Sequence, residues 1–322
     1  MNEFVLIHNY FKKLAKNNPS ALDLNDDVFF DKKKNIVISL DTYVEGVHYL
    51  NFKYPNLVIK KLLRSSISDL FCKGVRPSYI FIGASGNNNS FSKKNLNLIS
   101  KSIMQEQKKY NFQLSGGDTT KSKKTFFTIV SLGYSKKIVL RNKCKDGEDI
   151  YVTGNLGDSF LGLNVLKKKT LLSHKDRKYF IKKYYMPELP SKIISNLSKF
   201  ASSSIDISDG LFADLSKLIN QSKLFYKIEL SKIPISSNMK NYLVKSKKKK
   251  IHFISKGDDY QILFTSPKSK RNYIKNFFKS MNQKVSLIGN LTKENKINQI
   301  LYKGKLLKHA LNEGYFHNFS WS

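Results

Sequence analysis

The stretch SSSIDISDGLFADL, residues 202–215, changes from a strand-like pattern to a helical one through a short turn that carries two carboxylates. Asp206 follows the apolar strand-like part, and Asp209 stands next to Gly210, after which leucines recur at helical spacing. Two carboxylates held close together repel each other. Either a cation therefore lies between them, or the two side chains point apart into water.

The same order of strand, glycine turn and helix occurs again in YVTGNLGDSFLGLNVL, residues 151–166, and short strands alternate with helices elsewhere in the chain. Alternating patterns predict further strands at 35–40, 124–134, 149–154 and 258–266, and apolar spacing predicts helices at 55–74 and 92–107. This order predicts an α/β fold of mixed α+β character. The length of 322 residues allows two domains, which we place at 1–140 and 141–322.

The composition excludes several classes of protein. With 40% hydrophobic and 12% aromatic residues the chain is globular, and no apolar run is long enough for a membrane helix. The N-terminal stretch has no signal-peptide pattern. Cys72 and Cys144, the only cysteines, are too few for a disulfide framework or a structural zinc site. We therefore expect a cytoplasmic protein with no membrane partner.

The net charge of +33 first suggests a nucleic-acid-binding protein. Only five of the 57 basic residues are arginines, however, so lysines account for 52 (57 − 5). Arginine, with its planar fork, is the usual reader of base edges and phosphates. The lysines are also spread along the whole chain. We therefore expect no nucleic-acid partner and interpret the excess as a solvated lysine-rich surface.

The acidic residues are few, yet many of them stand at the predicted ends of strands and helices. They are Asp26, Asp27, Asp41, Asp69, Asp118, Asp206, Asp209, Asp258 and Asp259. Strand ends and the loops that follow them are where sites form in α/β folds. Oxygen ligands from several points of a chain suit Mg²⁺, which binds a few carboxylates together with water and substrate phosphates.

The chain has neither the G-x-x-x-x-G-K-[ST] phosphate loop nor the catalytic-loop signature of protein kinases. If it handles a nucleotide, it must therefore grip the phosphates mainly through metal ions and backbone amides. The glycine turns at Gly116–Gly117 and at Gly154 and Gly157 can supply such amides.

A set of motifs in one order resembles the thiamine-monophosphate kinase family. The motifs are NDD, SLDTYVEGVHY, SISDLFCKGVRP, LSGGDTT, DIYVTGNLGD, IDISDGLFADL and GDDYQILFT, with a weaker match at EGYFHNF. This family belongs to the superfamily of aminoimidazole ribonucleotide synthetase. The resemblance implies its two-domain fold and a homodimer that pairs through the N-terminal sheets. It also implies that ATP and thiamine monophosphate are converted to thiamine diphosphate and ADP.

The resemblance also implies roles for particular residues. The magnesium ligands of the family fall on Asp27, Ser39, Asp41, Asp69, Asp118, Asp206 and Asp209. The ATP contacts fall on Gly117, Asp118, Arg141 and Ser208. The contacts to thiamine monophosphate fall on His48, Asp258 and Tyr315. With these assignments Asp206 and Asp209 would face a shared cluster of metal ions and phosphates.

The chain departs from the family pattern at several positions. Asn25 stands where the family usually has Gly, and Leu40 stands where it has Thr, so that Leu40 can contribute only its backbone. Asn142–Lys143–Cys144 replaces Ser-Gly-Ala after Arg141, and Asp258 replaces Glu. The Arg-Gly-Pro that usually follows LSGGDTT is absent. None of these changes removes a predicted magnesium carboxylate.

The acceptor in such a reaction is a phosphate monoester, whose second pKa is near ~6, so it is largely a dianion at pH 7. No protein base is needed to create the nucleophile, and we predict no catalytic residue in that sense. Two other functions remain open: another ATP-dependent enzyme of the same superfamily, and a non-enzymatic polyanion-binding protein.

Overall fold

A computed structural model of the chain describes residues 3–294, 296–307, 314, 315 and 317. The first of two sheets is built from the N-terminal part. Its strands are β1 (Phe29–Asp31), β2 (Ile36–Val44), β3 (Pro77–Gly86), β4 (Gln113–Lys121) and β5 (Phe126–Tyr134). They are ordered β1-β2-β5-β3-β4, and only β3 and β4 run parallel.

The second sheet has seven strands from later in the chain. They are β6 (Asp149–Thr153), β7 (Ser203–Asp206), β8 (Phe225–Glu229), β9 (Ile262–Ser266), β10 (Val285–Thr292), β11 (Gln299–Tyr302) and β12 (Lys305–Leu306). Their order is β12-β11-β8-β10-β6-β9-β7, with antiparallel neighbours except for β8 and β11.

The helices pack against both sheets. They are α1 (Glu3–Leu6), α2 (Pro55–Cys72), α3 (Lys93–Tyr110), α4 (Asp158–Leu166), α5 (His174–Tyr185), α6 (Leu211–Ile219), α7 (Ser237–Ser246), α8 (Lys250–Ile254) and α9 (Arg271–Ser280). None of the helices in the described ranges is long and apolar enough to cross a membrane.

Helix α2 lies between the two halves of the molecule, where it contacts β2 and β5 of the first sheet and β7 and β9 of the second. Fourteen of its 18 residues are buried, so it has almost no solvent face. Pro55 begins it, since proline suits the first helical position. Gly74 follows its end at φ +81°, in the left-handed region. Side chains along α2 are therefore presented to both halves at once.

Buried charge anchors α2 to its neighbour α3. Arg64 donates from Nε and Nη2 to the two carboxylate oxygens of Glu106, each at 2.8 Å, and from Nη1 to the carbonyl of Pro187 at 2.9 Å. A forked pair of this kind fixes direction as well as distance. It sets the rotation of α2, and hence the face on which its polar residues lie.

The two faces of the first sheet differ. Val37, Ser39 and Tyr43 of β2 are buried on the face towards α2. On the opposite face Leu40 is 63% exposed and is aligned with Val130 and Phe81 across β5 and β3. The neighbouring row of that face contains Ile38, Leu132 and Tyr79. Edge strand β4 is exposed along its whole length. The outer sheet face is therefore apolar and uncovered in the single chain.

The predicted strands correspond to β2, β5, β6 and β9, and the predicted helices to α2 and α3. The mixed α/β class is confirmed, with mostly antiparallel sheets. The prediction of a turn at Gly116–Gly117 was wrong, because both glycines lie inside β4. Ser92 occupies the N-cap position of α3, but its side chain makes no capping hydrogen bond. The domain boundary near residue 140 stays a prediction.

Candidate functional site

The site begins where β2 faces α2. Ser39 Oγ donates to Oδ2 of Asp69 at 2.5 Å, and the hydroxyl of Tyr43 donates to Oδ2 of Asp41 at 2.8 Å. Ser39, Asp41 and Tyr43 alternate along β2 and so share one face, while α2 presents Asp69 to them. Burial raises the pKa of the Asp41 carboxyl in this position.

The second sheet adds Asp206, which ends β7 and is buried. The hydroxyl of Ser68, on α2, donates to its Oδ2. Ligand atoms of Asp206, Asp27 and Cys72 lie within 4.8 Å of one another. Asp27, Asp41, Asp69 and Asp206 thus form one group, which we call the carboxylate cluster.

Three members of the carboxylate cluster have no basic partner. None of the ion pairs among the described residues involves Asp41, Asp69 or Asp206. Burial raises the pKa of Asp206 to about 8, and the charge of Asp27 adds to the shift. Burial and then the nearby charges of Asp41, Asp206 and Asp27 raise the pKa of Asp69 well above its usual range. These carboxylates cannot all be ionised without a cation.

Asp27 differs because the chain supplies its cations. Lys73 Nζ lies 2.6 Å from Oδ2 of Asp27, and the guanidinium of Arg141 donates to Oδ1. Burial acts to raise the pKa of Asp27, but Arg141 and Lys73 outweigh it and hold that pKa far below its usual range. Asp27 is therefore ionised with both oxygens paired.

Asp209 is also paired, in the turn between β7 and α6. Lys217 Nζ, on α6, contacts Oδ2 of Asp209 and lies 2.8 Å from Oδ1 of Asp214. The backbone N–H groups of Asp209 and Gly210 both donate to Asp214, each at 3.0 Å. Asp206 and Asp209 therefore turn to different neighbours: Asp206 faces the carboxylate cluster, whereas Asp209 is bound by an internal ammonium.

Asp118 and Gly117 lie apart from these residues within the single chain. The register aligns Asp118 with Gly83, Thr128 and Thr42 across four strands, and this row belongs to the outer sheet face. At a strand spacing of about 4.8 Å, Asp118 is roughly 14 Å from Thr42 across the sheet. One chain therefore does not bring Asp118 to the carboxylate cluster, and its predicted role stays a prediction.

The three residues predicted to bind thiamine monophosphate lie close together. The rings of His48 and His317 are 5.4 Å apart, and those of His317 and Tyr315 are 5.1 Å apart, so the three rings form a row. The N–H of Tyr315 donates to the carbonyl of Asp209 at 3.3 Å, which ties this row to the β7–α6 turn. The negative charge of Asp258 acts on both His48 and Tyr315.

His48 is neutral at pH 7. Burial, helped by His317, lowers its pKa to about 4. Its Nδ1 accepts the N–H of Val44 at 2.9 Å, which leaves the proton on Nε2. His48 can therefore donate one hydrogen bond from Nε2, but it is not a cation at neutral pH.

Asp258 is positioned by a buried lysine. Lys61, on α2, lies 2.5 Å from Oδ1 of Asp258, and its ammonium also sits 4.4 Å from the ring centroid of Tyr184. The hydroxyl of Tyr260 donates to the same Oδ1 at 3.0 Å. Both of these donors reach Oδ1, so Oδ2 of Asp258 has no donor among the residues that the structure describes, and the side chain is partly exposed.

The residues predicted to contact ATP are only partly brought together. Arg141 lies beside the carboxylate cluster, and its Nε is buried with no hydrogen-bond partner among the described residues. Ser208 lies in the turn after β7, where its carbonyl accepts the N–H of Asp258 at 2.9 Å. The amides of Gly154 and Gly157 are already used within the chain, by Lys284 and Asp259 respectively. The expectation that these two amides grip phosphates is therefore not met by this structure.

Sequence patterns missed several residues of the site. These patterns predicted no role for Lys61, Lys73 or Lys217. Each is one of 52 lysines and lies within or beside a helical pattern. The signal that could have singled out Lys61 and Lys73 is their position on the apolar side of a helix, where an unpaired ammonium would be costly. Cys72 packs among the carboxylates with its thiol pKa raised by burial, so it stays protonated.

Comparisons with known proteins agree with this geometry. Residues 24–134 match the family described as AIR synthase related protein, N-terminal domain. The chain is 32% identical over 316 residues to the thiamine-monophosphate kinase of Buchnera aphidicola subsp. Schizaphis graminum, covering 95% of this chain and 96% of that protein. It is 34% identical over 305 residues to that of Buchnera aphidicola subsp. Acyrthosiphon pisum, covering 90% and 91%.

The fold agrees as well. A solved structure of AaThiL complexed with AMPPCP and TMP superimposes with a TM-score of 0.84 at 26% identity, covering 98% of this chain and 97% of that one. One family therefore accounts for the order of the motifs, for the shared fold and for alignments that span nearly the whole chain. This chain belongs to the thiamine-monophosphate kinase family and is a phosphotransferase.

Proposed function

We propose that the chain transfers the γ-phosphoryl group of ATP directly to the phosphate of thiamine monophosphate, with Mg²⁺ held by the carboxylate cluster. The observation that carries this proposal is a buried group of carboxylates next to a row of aromatic rings, in which Asp41, Asp69 and Asp206 have no basic partner within the described part of the chain. The cytoplasmic location remains a prediction.

The donor set fits Mg²⁺. Ser39, Asp41, Asp69 and Asp206 offer only oxygen atoms, which this ion prefers. Burial raises the pKa values of Asp41, Asp69 and Asp206, as expected for buried carboxylates with little positive charge nearby, and this supports a cation at the group. Asp27 and Asp209 would join the set only by exchanging an ammonium or guanidinium partner for a metal ion. Asp118 would join it only from another copy of the chain.

Bound there, Mg²⁺ would neutralise the charge of two phosphates that must approach each other. The protein residues would contribute by binding and orienting the two substrates. The unpaired Nε of Arg141 is a buried donor that a phosphate oxygen would satisfy. His48 and Tyr315 provide flat surfaces for the aromatic rings of thiamine, and Asp258 offers a carboxylate to its cationic thiazolium.

We further propose that two copies of the chain pair through their outer sheet faces. Support comes from the uncovered rows of apolar side chains on β2, β5 and β3, since a large exposed apolar patch usually marks an interface. Gly117 and Asp118 lie on this same part of the molecule, so pairing would place them near the second copy.

The first test is activity. The purified chain with Mg²⁺, ATP and thiamine monophosphate should form thiamine diphosphate and ADP, as followed by chromatography, and EDTA should abolish the reaction. Folded protein that turns over neither thiamine monophosphate nor free thiamine would refute the proposal. Turnover of free thiamine alone would show that the acceptor site is misassigned.

Replacing Asp69 by Asn should remove most of the stabilisation that Mg²⁺ gives to the folded chain. The reason is that Asn keeps the size but loses the charge that draws the ion. Thermal unfolding with EDTA and with Mg²⁺ at matched ionic strength measures this difference. The matched change Glu294→Gln, at an exposed residue far from the cluster, should keep the full Mg²⁺ effect. Equal Mg²⁺ effects in both variants would contradict the assignment.

Replacing His48 by Asn should raise KM about tenfold while kcat falls less than about threefold, because a neutral His48 binds substrate and abstracts no proton. Steady-state kinetics across pH 5.5–8.5 measure both constants, and His174→Asn, at an exposed position, serves as the control. A fall in kcat of ~10² to 10⁴ with KM unchanged would instead identify a general base.

Replacing Val130 by Lys should separate the proposed dimer, because it puts a charge in the middle of the apolar outer sheet face. By light scattering, the unaltered protein should have the mass of a dimer, twice the chain mass of 37.1 kDa. The variant should have the mass of one chain. Leu171→Lys, at an almost fully exposed position off that face, should remain a dimer. An unaltered chain that is monomeric at micromolar concentration would refute this pairing.

A further inference from the structure

We propose that Lys73 is a built-in cation of the metal site: its ammonium takes the position of a divalent ion between Asp26 and Asp27, so this corner binds no Mg²⁺. The inference rests on the proposed function, because it concerns how many ions the proposed magnesium site takes. It makes Lys73 a positioning residue that sets the composition of the site.

The contacts of Lys73 are complete. Its Nζ lies 2.7 Å from Oδ1 of Asp26 and 2.6 Å from Oδ2 of Asp27, and it donates to the carbonyl of Ser204 at 2.9 Å. An ammonium has three donors, and here each one has an acceptor. Two of the acceptors are carboxylates, the ligands that a magnesium ion would take.

The remaining oxygens of the two carboxylates are occupied as well. Oδ2 of Asp26 accepts the backbone N–H of Arg141 at 2.9 Å, and Oδ1 of Asp27 accepts the guanidinium of the same residue. Lys73 and Arg141 together therefore give a donor to each of the four oxygens. A metal ion could bind here only by breaking one of these contacts.

Lys73 is held in place. Its side chain is 0% exposed, so leaving the carboxylates would require burying an unpaired ammonium or opening the contact between α2 and β7. Its backbone is fixed too, because its N–H donates to Leu70 at 3.1 Å and its carbonyl accepts from Val139 at 3.0 Å. Lys217 on Asp209 differs, since its side chain is 13% exposed.

The neighbouring carboxylates, unlike Asp26 and Asp27, are not paired with basic side chains of the described residues. Asp41, Asp69 and Asp206 take no part in any ion pair among residues 3–294, 296–307, 314, 315 and 317. The carboxylate cluster is thus divided into a corner that carries its own cations and a part that still needs them. Metal ions are expected only in the second part.

The test counts Mn²⁺, which substitutes for Mg²⁺ and is detected by electron paramagnetic resonance. Lys73→Met should bind one more Mn²⁺ per folded chain than the unaltered protein, because Asp26 and Asp27 become available. In EDTA the variant should unfold at a lower temperature, and Mn²⁺ should restore more of its stability than it adds to the unaltered chain. Lys61→Met, which removes an equally buried lysine from Asp258, should leave the Mn²⁺ count unchanged.

If Lys73→Met does not fold, the variant Asp27→Asn tests whether Asp27 binds a metal ion. With Lys73 in place this variant should bind as many Mn²⁺ ions as the unaltered chain, whereas Asp69→Asn should bind fewer. An unchanged count in folded Lys73→Met, or the loss of an ion in Asp27→Asn, would overturn the role of Lys73 and leave the proposed function standing. An unaltered chain that binds no Mn²⁺ at all would instead overturn the proposed magnesium site.

Discussion

The structure depends on one electrostatic constraint: carboxylates from both halves of the molecule converge on a single buried helix. Asp41 comes from the first sheet, Asp206 from the second, and Asp69 from α2 between them. Like charges in a desolvated site are unfavourable, and the raised pKa values of Asp69 and Asp206 express that cost. A site that is costly when empty of cations is well prepared to bind them.

Basic side chains of the protein itself offset part of this electrostatic repulsion. Lys73, Arg141 and Lys217 pair with carboxylates at the margins of the site, whereas none of the described basic residues forms an ion pair with Asp41, Asp69 or Asp206 at its centre. Breaking a buried pair of this kind typically costs about 3–5 kcal/mol, so these cations fix where the carboxylates lie. The forked Arg64–Glu106 pair supports the same arrangement from a distance by holding α2 in place. The paired carboxylates at the margins thus contribute to stability, whereas the carboxylates at the centre are the ones proposed to bind metal ions.

The sequence predicted the elements well because their signals are local. The alternation of β2, the proline and glycine that bound α2, and the turn before α6 can each be recognised within a few residues. Gly116–Gly117 was misassigned because glycine pairs usually mark turns, while strand β4 depends on pairing with distant β3. The pairing of Lys73 with Asp26 and Asp27 joins residues almost fifty positions apart. The local pattern can place Lys73 on the apolar side of a helix, but it cannot show which distant carboxylates pair with it.

Metal ions should bind at Asp41, Asp69 and Asp206, the cluster carboxylates with no basic partner among the described residues. The most direct measurement is anomalous X-ray scattering from crystals grown with Mn²⁺ and an ATP analogue. We predict anomalous peaks about 2.0–2.5 Å from carboxylate oxygens of Asp41, Asp69 and Asp206. We predict none between Asp26 and Asp27. Ordered nucleotide with no peak beside Asp69, or a peak that displaces Lys73 from Asp27, would show that the metal ions do not bind where basic partners are missing.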